Sequence, residues 1–267
     1  MNTLHPTPSL RPTLPIMGHL VLGYPSLAAS METAEAYVRA GIEILELQIP
    51  FSHPTADGPV ITFACQEATR LGTSVQDCIG AIRAFRERHP TQEIMVMSYV
   101  NRVYAYGLEK FGRAMMELSV RHLIVPDLPV DSEVAIAFKA HHSLLQWVPV
   151  LAANISEERL AKLLGLDFDF FYLMSDFKIT GSGFSLNPQL REMIAKIKQP
   201  RIHQDETTSV RRIGIGFGIS TPEQARIVAS EADIAIIGSA LIQAQQEGRL
   251  EAYLSELRAV FGENHSS

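Results

Sequence analysis

The sequence predicts a (β/α)8 TIM barrel of the α/β class, on three observations. Short apolar runs alternate with longer amphipathic stretches along the chain, and that alternation builds a parallel sheet covered by helices. The apolar runs are nearly continuous rather than alternating with polar residues, as expected of strands buried on both faces. Eight such units fit within about 250 residues, the usual length of this barrel. An open doubly wound sheet competes, but it calls for a glycine-rich dinucleotide turn after the first strand, and Leu22-Gly23-Tyr24-Pro25 is not one.

Taken in order, the candidate strands are residues 16–22, 42–49, 93–98, 122–125, 144–150, 168–174, 212–216 and 234–237. Amphipathic stretches at 31–40, 60–71, 75–88, 108–118, 132–140, 156–163, 188–197 and 222–229 lie between them. Several open on capping signals: Ser132 beside Asp131, Ser156 before two glutamates, and Thr221-Pro222-Glu223. Residues 1–15 carry four prolines and read as a loose arm on a single domain spanning 1–267. The polar stretch 198–211 reads as a surface excursion.

With 267 residues, 46% of them hydrophobic, the chain can bury a core of barrel size. A net charge of −6 without a basic stripe argues against nucleic-acid binding. No run approaches the ~18 apolar residues of a membrane span. The apolar stretch after Arg11 is broken by Gly18, His19, Gly23 and Pro25, which suits a strand and loop better than a signal peptide. Cys65 and Cys78 have no metal spacing and read as reduced thiols of a cytoplasmic protein. No metal-ligand cluster and no Gly-x-Ser-x-Gly elbow is present.

The chemistry is concentrated between Leu45 and Pro59. Glu43 stands at the start of the second strand, within reach of solvent, whereas Glu46 lies between Leu45 and Leu47. A carboxylate there is costly to bury unless it is paired or used. A Pro/Gly loop then presents Asp57. Two carboxylates at one pocket can hold different protonation states and divide acid and base work. The plainer alternative is a structural Glu46 and an Asp57 that caps the helix starting near Val60. In a barrel, strand C-termini form the active site. That places Glu46, Asp57, Tyr99, Asp127, Tyr172, Gly181, Gly218 and Gly238 on one face.

Three glycine-bearing ends, at 180–183, 216–221 and 237–240, suit a phosphate held by backbone N–H groups. Ordinary βα turns are the alternative. Tyr99 and Tyr172 can wall an aromatic pocket or serve as core residues with wetted hydroxyls. Asp127 is a pocket residue, an interface residue or a turn acid. His141 and His142 follow a helix and read as a solvated face favoured by the helix dipole.

Leu45 through Pro59 resembles the signature of the tryptophan synthase alpha subunit family, commonly Leu-Glu-Leu-Gly-(Ile/Val)-Pro-Phe-Ser-Asp-Pro-x-Ala-Asp-Gly-Pro. Met97-Ser98-Tyr99-Val100-Asn101 is similar to its third strand end, and Tyr172 to Ser175 with Ile179-Thr180-Gly181 to its sixth loop. Gly216 to Ser220 and Gly238-Ser239-Ala240 are similar to its phosphate site. The resemblance implies a lyase that cleaves indole-3-glycerol phosphate into indole and glyceraldehyde 3-phosphate. It implies Glu46 and Asp57 as catalytic residues. Glu46 would protonate indole C3 and help remove the glycerol hydroxyl proton, and Asp57 would act at the ring nitrogen. Tyr99 and Tyr172 would bind substrate, and backbone at Gly181, Phe217, Gly218, Gly238 and Ser239 would cradle the phosphate. No cofactor is implied for this chain, because pyridoxal phosphate belongs to the β partner.

Several positions depart from the family pattern. His53 replaces an Asp in a region linked to β-subunit contact, so pairing with a β subunit is expected to be weak. Gln48 replaces a common Gly, and His19 stands where an aromatic pocket residue is usual. Ser175-Asp176-Phe177-Lys178 lacks the loop Arg, the first amphipathic helix is missing, and the 198–211 excursion is long. The expectation is a divergent lyase able to act without a β subunit. The alternatives are a paralogue acting on a related glycerol phosphate and a weakly catalytic binding or regulatory subunit.

Overall fold

The computed structural model describes residues 13–174, 179–180, 183–184, 186–202, 208–216 and 218–262. The first half of the barrel is built from β1 (Leu14–Val21), α1 (Leu27–Ala40), β2 (Ile42–Gln48), α2 (Pro59–Arg70), α3 (Val75–Arg88), β3 (Glu93–Met97), α4 (Val100–Tyr106), α5 (Leu108–Glu117) and β4 (His122–Ile124). There follow α6 (Glu133–His141), β5 (Gln146–Trp147), β6 (Val150–Ala152), α7 (Glu157–Leu164), β7 (Phe170–Met174), the short pair β8 (Ile179–Thr180) and β9 (Gly183–Phe184), and α8 (Pro188–Ile197). The chain closes with β10 (Arg201–Ile202), β11 (Thr208–Ser209), β12 (Arg212–Gly216), α9 (Pro222–Glu231), β13 (Ile234–Ile237), α10 (Ser239–Gln246) and α11 (Leu250–Gly262).

The main sheet is parallel in the order β5-β4-β3-β2-β1-β13-β12-β7-β6. Its two outer members, β5 and β6, are consecutive pieces of one run, separated by Val148 and Pro149. Pro149 has no N–H to give a ladder, but the neighbouring groups still pair: Val148 N donates to Leu123 O and Tyr172 N to Pro149 O, both at 2.9 Å. The sheet therefore closes through this fifth stave into eight. The predicted strand at 144–150 is displaced accordingly, since Leu144 is exposed in the preceding turn.

The period-2 rule of a strand sorts the side chains into two layers. Leu45, Leu47 and Ile49 turn outward with Val96, Phe171 and Ile213 into the large core beneath the helices. Met17, Ile44, Met95, Phe170, Ile234 and Ile236 turn inward and fill the barrel. Gly214 lies in that filled layer, and a Cβ there would meet Ile236 Cδ1 at 2.7 Å and Phe170 Cζ at 2.9 Å.

Capping agrees with sequence. Ser74 and Thr221 form capping boxes, and Ser132 and Ser156 accept from the third helical N–H. The arm is shorter than expected, because β1 starts at Leu14; residues 1–12 lie outside the described residues. The 198–211 excursion contains the antiparallel β10–β11 pair. Its last residue is not a surface group: Arg211 is buried and donates to Leu164 O at 2.5 Å and Ile197 O at 3.5 Å, at the ends of α7 and α8. The histidine pair also splits. His141 is exposed, but His142 is buried against the ring of Phe138, over Gly112, and burial lowers its pKa. Asp127, in the turn after β4, accepts from Val100 N at 2.9 Å, at the start of α4. Cys65 and Cys78 are free and buried, with both thiols pushed up to about 12 by burial. Among the described residues no helix is long and apolar enough to cross a membrane.

Candidate active site

Alternation along β2 decides which way its acid points. Ile44, Glu46 and Gln48 share the inner face, so Glu46 stands one layer above the apolar plug and is 1% exposed. On the neighbouring strand the register pairs His19 with Glu46. His19 Nδ1 lies 3.3 Å from Glu46 Oε2, and His19 is itself buried. Neither Glu46 oxygen nor His19 Nε2 has a well-formed hydrogen bond among the described residues, so the 3.3 Å contact between the two side chains is a long one. Burial pulls the His19 imidazole down, but the charge of Glu46 and its contact with the ring, then the charge of Asp57 and the Gln48 amide, outweigh it and raise its pKa.

Asp57 follows β2 on the loop that leads into α2. Gly58 is the N-cap of that helix and no side chain caps it, so the capping role open to Asp57 in the sequence is not taken. Its Oδ2 instead accepts from Gln48 Nε2 at 2.7 Å and from the Tyr99 hydroxyl at 2.9 Å. The Tyr99 oxygen in turn accepts from Ala56 N at 3.1 Å. Burial raises the pKa of Asp57, against the opposing pull of His19, Gln48 and Tyr99. Tyr99 is fully buried and its hydroxyl is held far above the usual phenol range, first by burial and then by Asp57.

A cavity of ≈ 220 Å³ opens at the C-terminal end of the barrel, lined by Glu46, Asp57, His19, Tyr172, Gly238 and Ser239 among others. Met97, Ile124, Val150 and Ile236 give it an apolar wall, and Gly218, Ser220 and Ser239 a polar rim. Tyr172 turns inward from β7, and Gly216 leaves room for its hydroxyl, which would lie 2.8 Å from a Cβ at that position. Gly218 adopts φ +80, a conformation that suits glycine. Gly238 is the N-cap of α10 and no side chain caps that helix. The N–H groups of Ser239 and Ala240, ahead of Leu241 N, which donates to Gly238 O at 3.0 Å, suit an anion at the cavity rim.

The structure brings Glu46, Asp57, Tyr172, Gly218, Gly238 and Ser239 to this one cavity, with Tyr99 bonded to Asp57 behind it. Gly181 and Phe217 lie outside the described residues. Two neighbours of the carboxylates, His19 and Gln48, were not in the candidate set. The signal was in the period: residue 48 shares a face with 46, and 19 with the inward-facing 17. Among the described residues no group of three or more His, Cys, Asp or Glu is placed to hold a metal ion.

Comparison with known proteins agrees with this geometry. The family model for the tryptophan synthase alpha chain matches residues 14–264. The tryptophan synthase alpha chain of Nocardia farcinica is 34% identical over 245 residues, 91% of this chain and 88% of that one. That of Desulfotalea psychrophila is 33% identical over 234 residues, covering 87% and 88%. The solved aminoacrylate-bound tryptophan synthase of M. tuberculosis matches with a TM-score of 0.77 at 30% identity, covering 93% of each chain. With the match running from the first barrel strand to the last helix, the chain belongs to the tryptophan synthase alpha chain family.

Proposed function

We propose that this chain is a carbon–carbon lyase that cleaves indole-3-glycerol phosphate to indole and glyceraldehyde 3-phosphate by a retro-aldol reaction. The observation that carries the reading is one cavity with two carboxylates on one side, Glu46 buried and Asp57 half-buried, and an uncapped helix N-terminus on the other. Glu46 gives a proton to indole C3 while Asp57 accepts the ring N–H, so the ring becomes an indolenine. The carboxylate left on Glu46 then takes the proton of the hydroxyl next to the ring. The C–O bond becomes a carbonyl, the carbon–carbon bond breaks, and its electron pair restores the C2=C3 double bond. The ring nitrogen recovers its proton from Asp57, and Glu46 ends protonated as it began. Glu46 is suited to both transfers because no donor fixes either of its oxygens with good geometry, and only the long 3.3 Å contact of His19 Nδ1 lies beside it. Asp57 is suited to holding the ring nitrogen because two donors fix its Oδ2 and leave its other oxygen to the ring. The first turn of α10, with Gly218 and Ser239 at the rim, cradles the phosphate.

The same reading extends to a partner. Solved relatives include a tryptophan synthase complex from Pyrococcus furiosus. In this chain His53 is exposed at the mouth-side loop, bonded to Ser52 Oγ at 2.8 Å, where the family pattern has a carboxylate. Losing that negative charge weakens association with a β subunit, so the lyase works alone or in a loose pair. The test is product identification: purified protein with indole-3-glycerol phosphate should give indole and glyceraldehyde 3-phosphate in equal amounts. Binding of the substrate without cleavage would replace the lyase with a binding subunit.

A further inference from the structure

His19 occupies a defined place between the two halves of the site. The strand order runs β13, β1, β2, so His19 on β1 has Glu46 beside it on one side and Gly238, at the end of β13, on the other. The register pairs His19 with Glu46, and a Cβ on Gly238 would lie 3.6 Å from His19 Cβ. Under the proposed function, Glu46 works at the bond next to the ring and α10 holds the phosphate. The segment of substrate that must pass between them is the middle of the glycerol chain. The imidazole beside that segment has Nδ1 committed to Glu46 at 3.3 Å. Its Nε2 is buried without a partner among the described residues, although His19 lines the cavity. A buried ring nitrogen without a partner is costly and calls for a polar group of the ligand.

We infer that His19 is a specificity-determining residue whose Nε2 hydrogen-bonds the hydroxyl on the middle carbon of the glycerol phosphate chain, so that the site selects a vicinal polyol phosphate over its deoxy analogue. This rests on the reading of the cavity as a glycerol-phosphate site. Nε2 carries a proton to donate whether the proton of the 3.3 Å contact rests on His19 Nδ1 or on Glu46, so this role leaves Glu46 its acid function. Asp57 adds negative charge on the same side, and Tyr172 is the remaining titratable side chain of the cavity wall. A site built to bond a hydroxyl rejects a ligand that lacks it, because its own polar group is then left unpaired.

The experiment is calorimetric binding of sn-glycerol 3-phosphate and of 3-hydroxypropyl phosphate, which lacks only the middle hydroxyl. Both are measured on the wild-type chain and on the variants His19→Phe and His19→Gln. The wild type should prefer glycerol 3-phosphate by roughly 10-fold or more. His19→Phe should bind both ligands alike, while its affinity for 3-hydroxypropyl phosphate, which reports an intact cradle, stays within about threefold of wild type. His19→Gln, which keeps a polar group near the Nε2 position, should recover part of the preference. Equal binding by the wild type, or a preference retained in His19→Phe, would overturn the assignment of His19 alone. Failure of both phosphates to bind the wild type would overturn the glycerol-phosphate reading and this inference with it.

Discussion

Asp57 lines a cavity with largely apolar walls, and Gln48 and Tyr99 donate to its carboxylate there. Burial raises its pKa, and His19, Gln48 and Tyr99 pull it back. Under the proposed mechanism its carboxylate accepts the ring N–H, so the acid limb of kcat/KM should lie above the ordinary range of an exposed Asp. Gln48→Ala removes the 2.7 Å donor. A hydrogen bond to a charged group contributes ~1.5–3 kcal/mol, so the variant should lose about 10-fold or more in kcat/KM and move the acid limb higher. A pH–rate profile checks this, and an unmoved limb would remove Gln48 from the positioning of Asp57. His19 gives a separate prediction for stability. Its folded pKa is raised above 6.5, so its stabilising contribution is full below that pH and is lost as pH rises through the folded value. Denaturant midpoints of wild type and His19→Phe should therefore diverge most in mild acid and converge toward alkaline pH. Glu46 is legible in the sequence because an acid inside an apolar strand breaks a local rule, whereas Asp57 in its Pro/Gly loop is also an ordinary turn or cap residue and is singled out by the motif around it. His19 and Gln48 were visible only as departures, because their meaning depends on a cross-strand register and a loop that folds back, neither of which is local.

The elements were legible where sequence and capping chemistry point the same way. The helices at 75–88 and 188–197 and the strands at 212–216 and 234–237 have the bounds their patterns predict. The fifth stave did not, because Pro149 removes a donor in mid-strand while Leu144 only extends the apolar run before it. The helix α10 was hidden behind Gly238-Ser239-Ala240, which reads as a loop although it opens a helix. α11 carries a helical spacing of Tyr253, Leu254 and Leu257 that needed only to be followed to the end. The inner layer offers a direct test of barrel packing. Gly214→Ala places a methyl 2.7 Å from Ile236 and 2.9 Å from Phe170. Overpacking of this kind costs ~1–3 kcal/mol, so the urea midpoint should fall with the slope unchanged. A neutral substitution would mean that the inner layer has free space.

At the scale of the whole molecule, the barrel positions chemistry at one end and ion pairs at the other. Arg212 joins Glu43 at 2.5 Å and Glu93 at 3.1 Å, and His122 reaches Asp169 at 2.9 Å, away from the cavity. The surface that a β subunit would meet differs from the family pattern at His53. Sedimentation with a tryptophan synthase β subunit should show weak association, tightened roughly 10-fold by His53→Asp. A tight complex indifferent to that change would contradict the partner reading. The central claim is that Glu46 moves the protons of a retro-aldol cleavage, and steady-state indole release from indole-3-glycerol phosphate by wild type and Glu46→Gln tests it most directly. Losing a general acid/base lowers kcat by roughly 10²–10⁴, with KM little changed because the phosphate cradle is untouched. Release by Glu46→Gln at the wild-type rate would contradict the account.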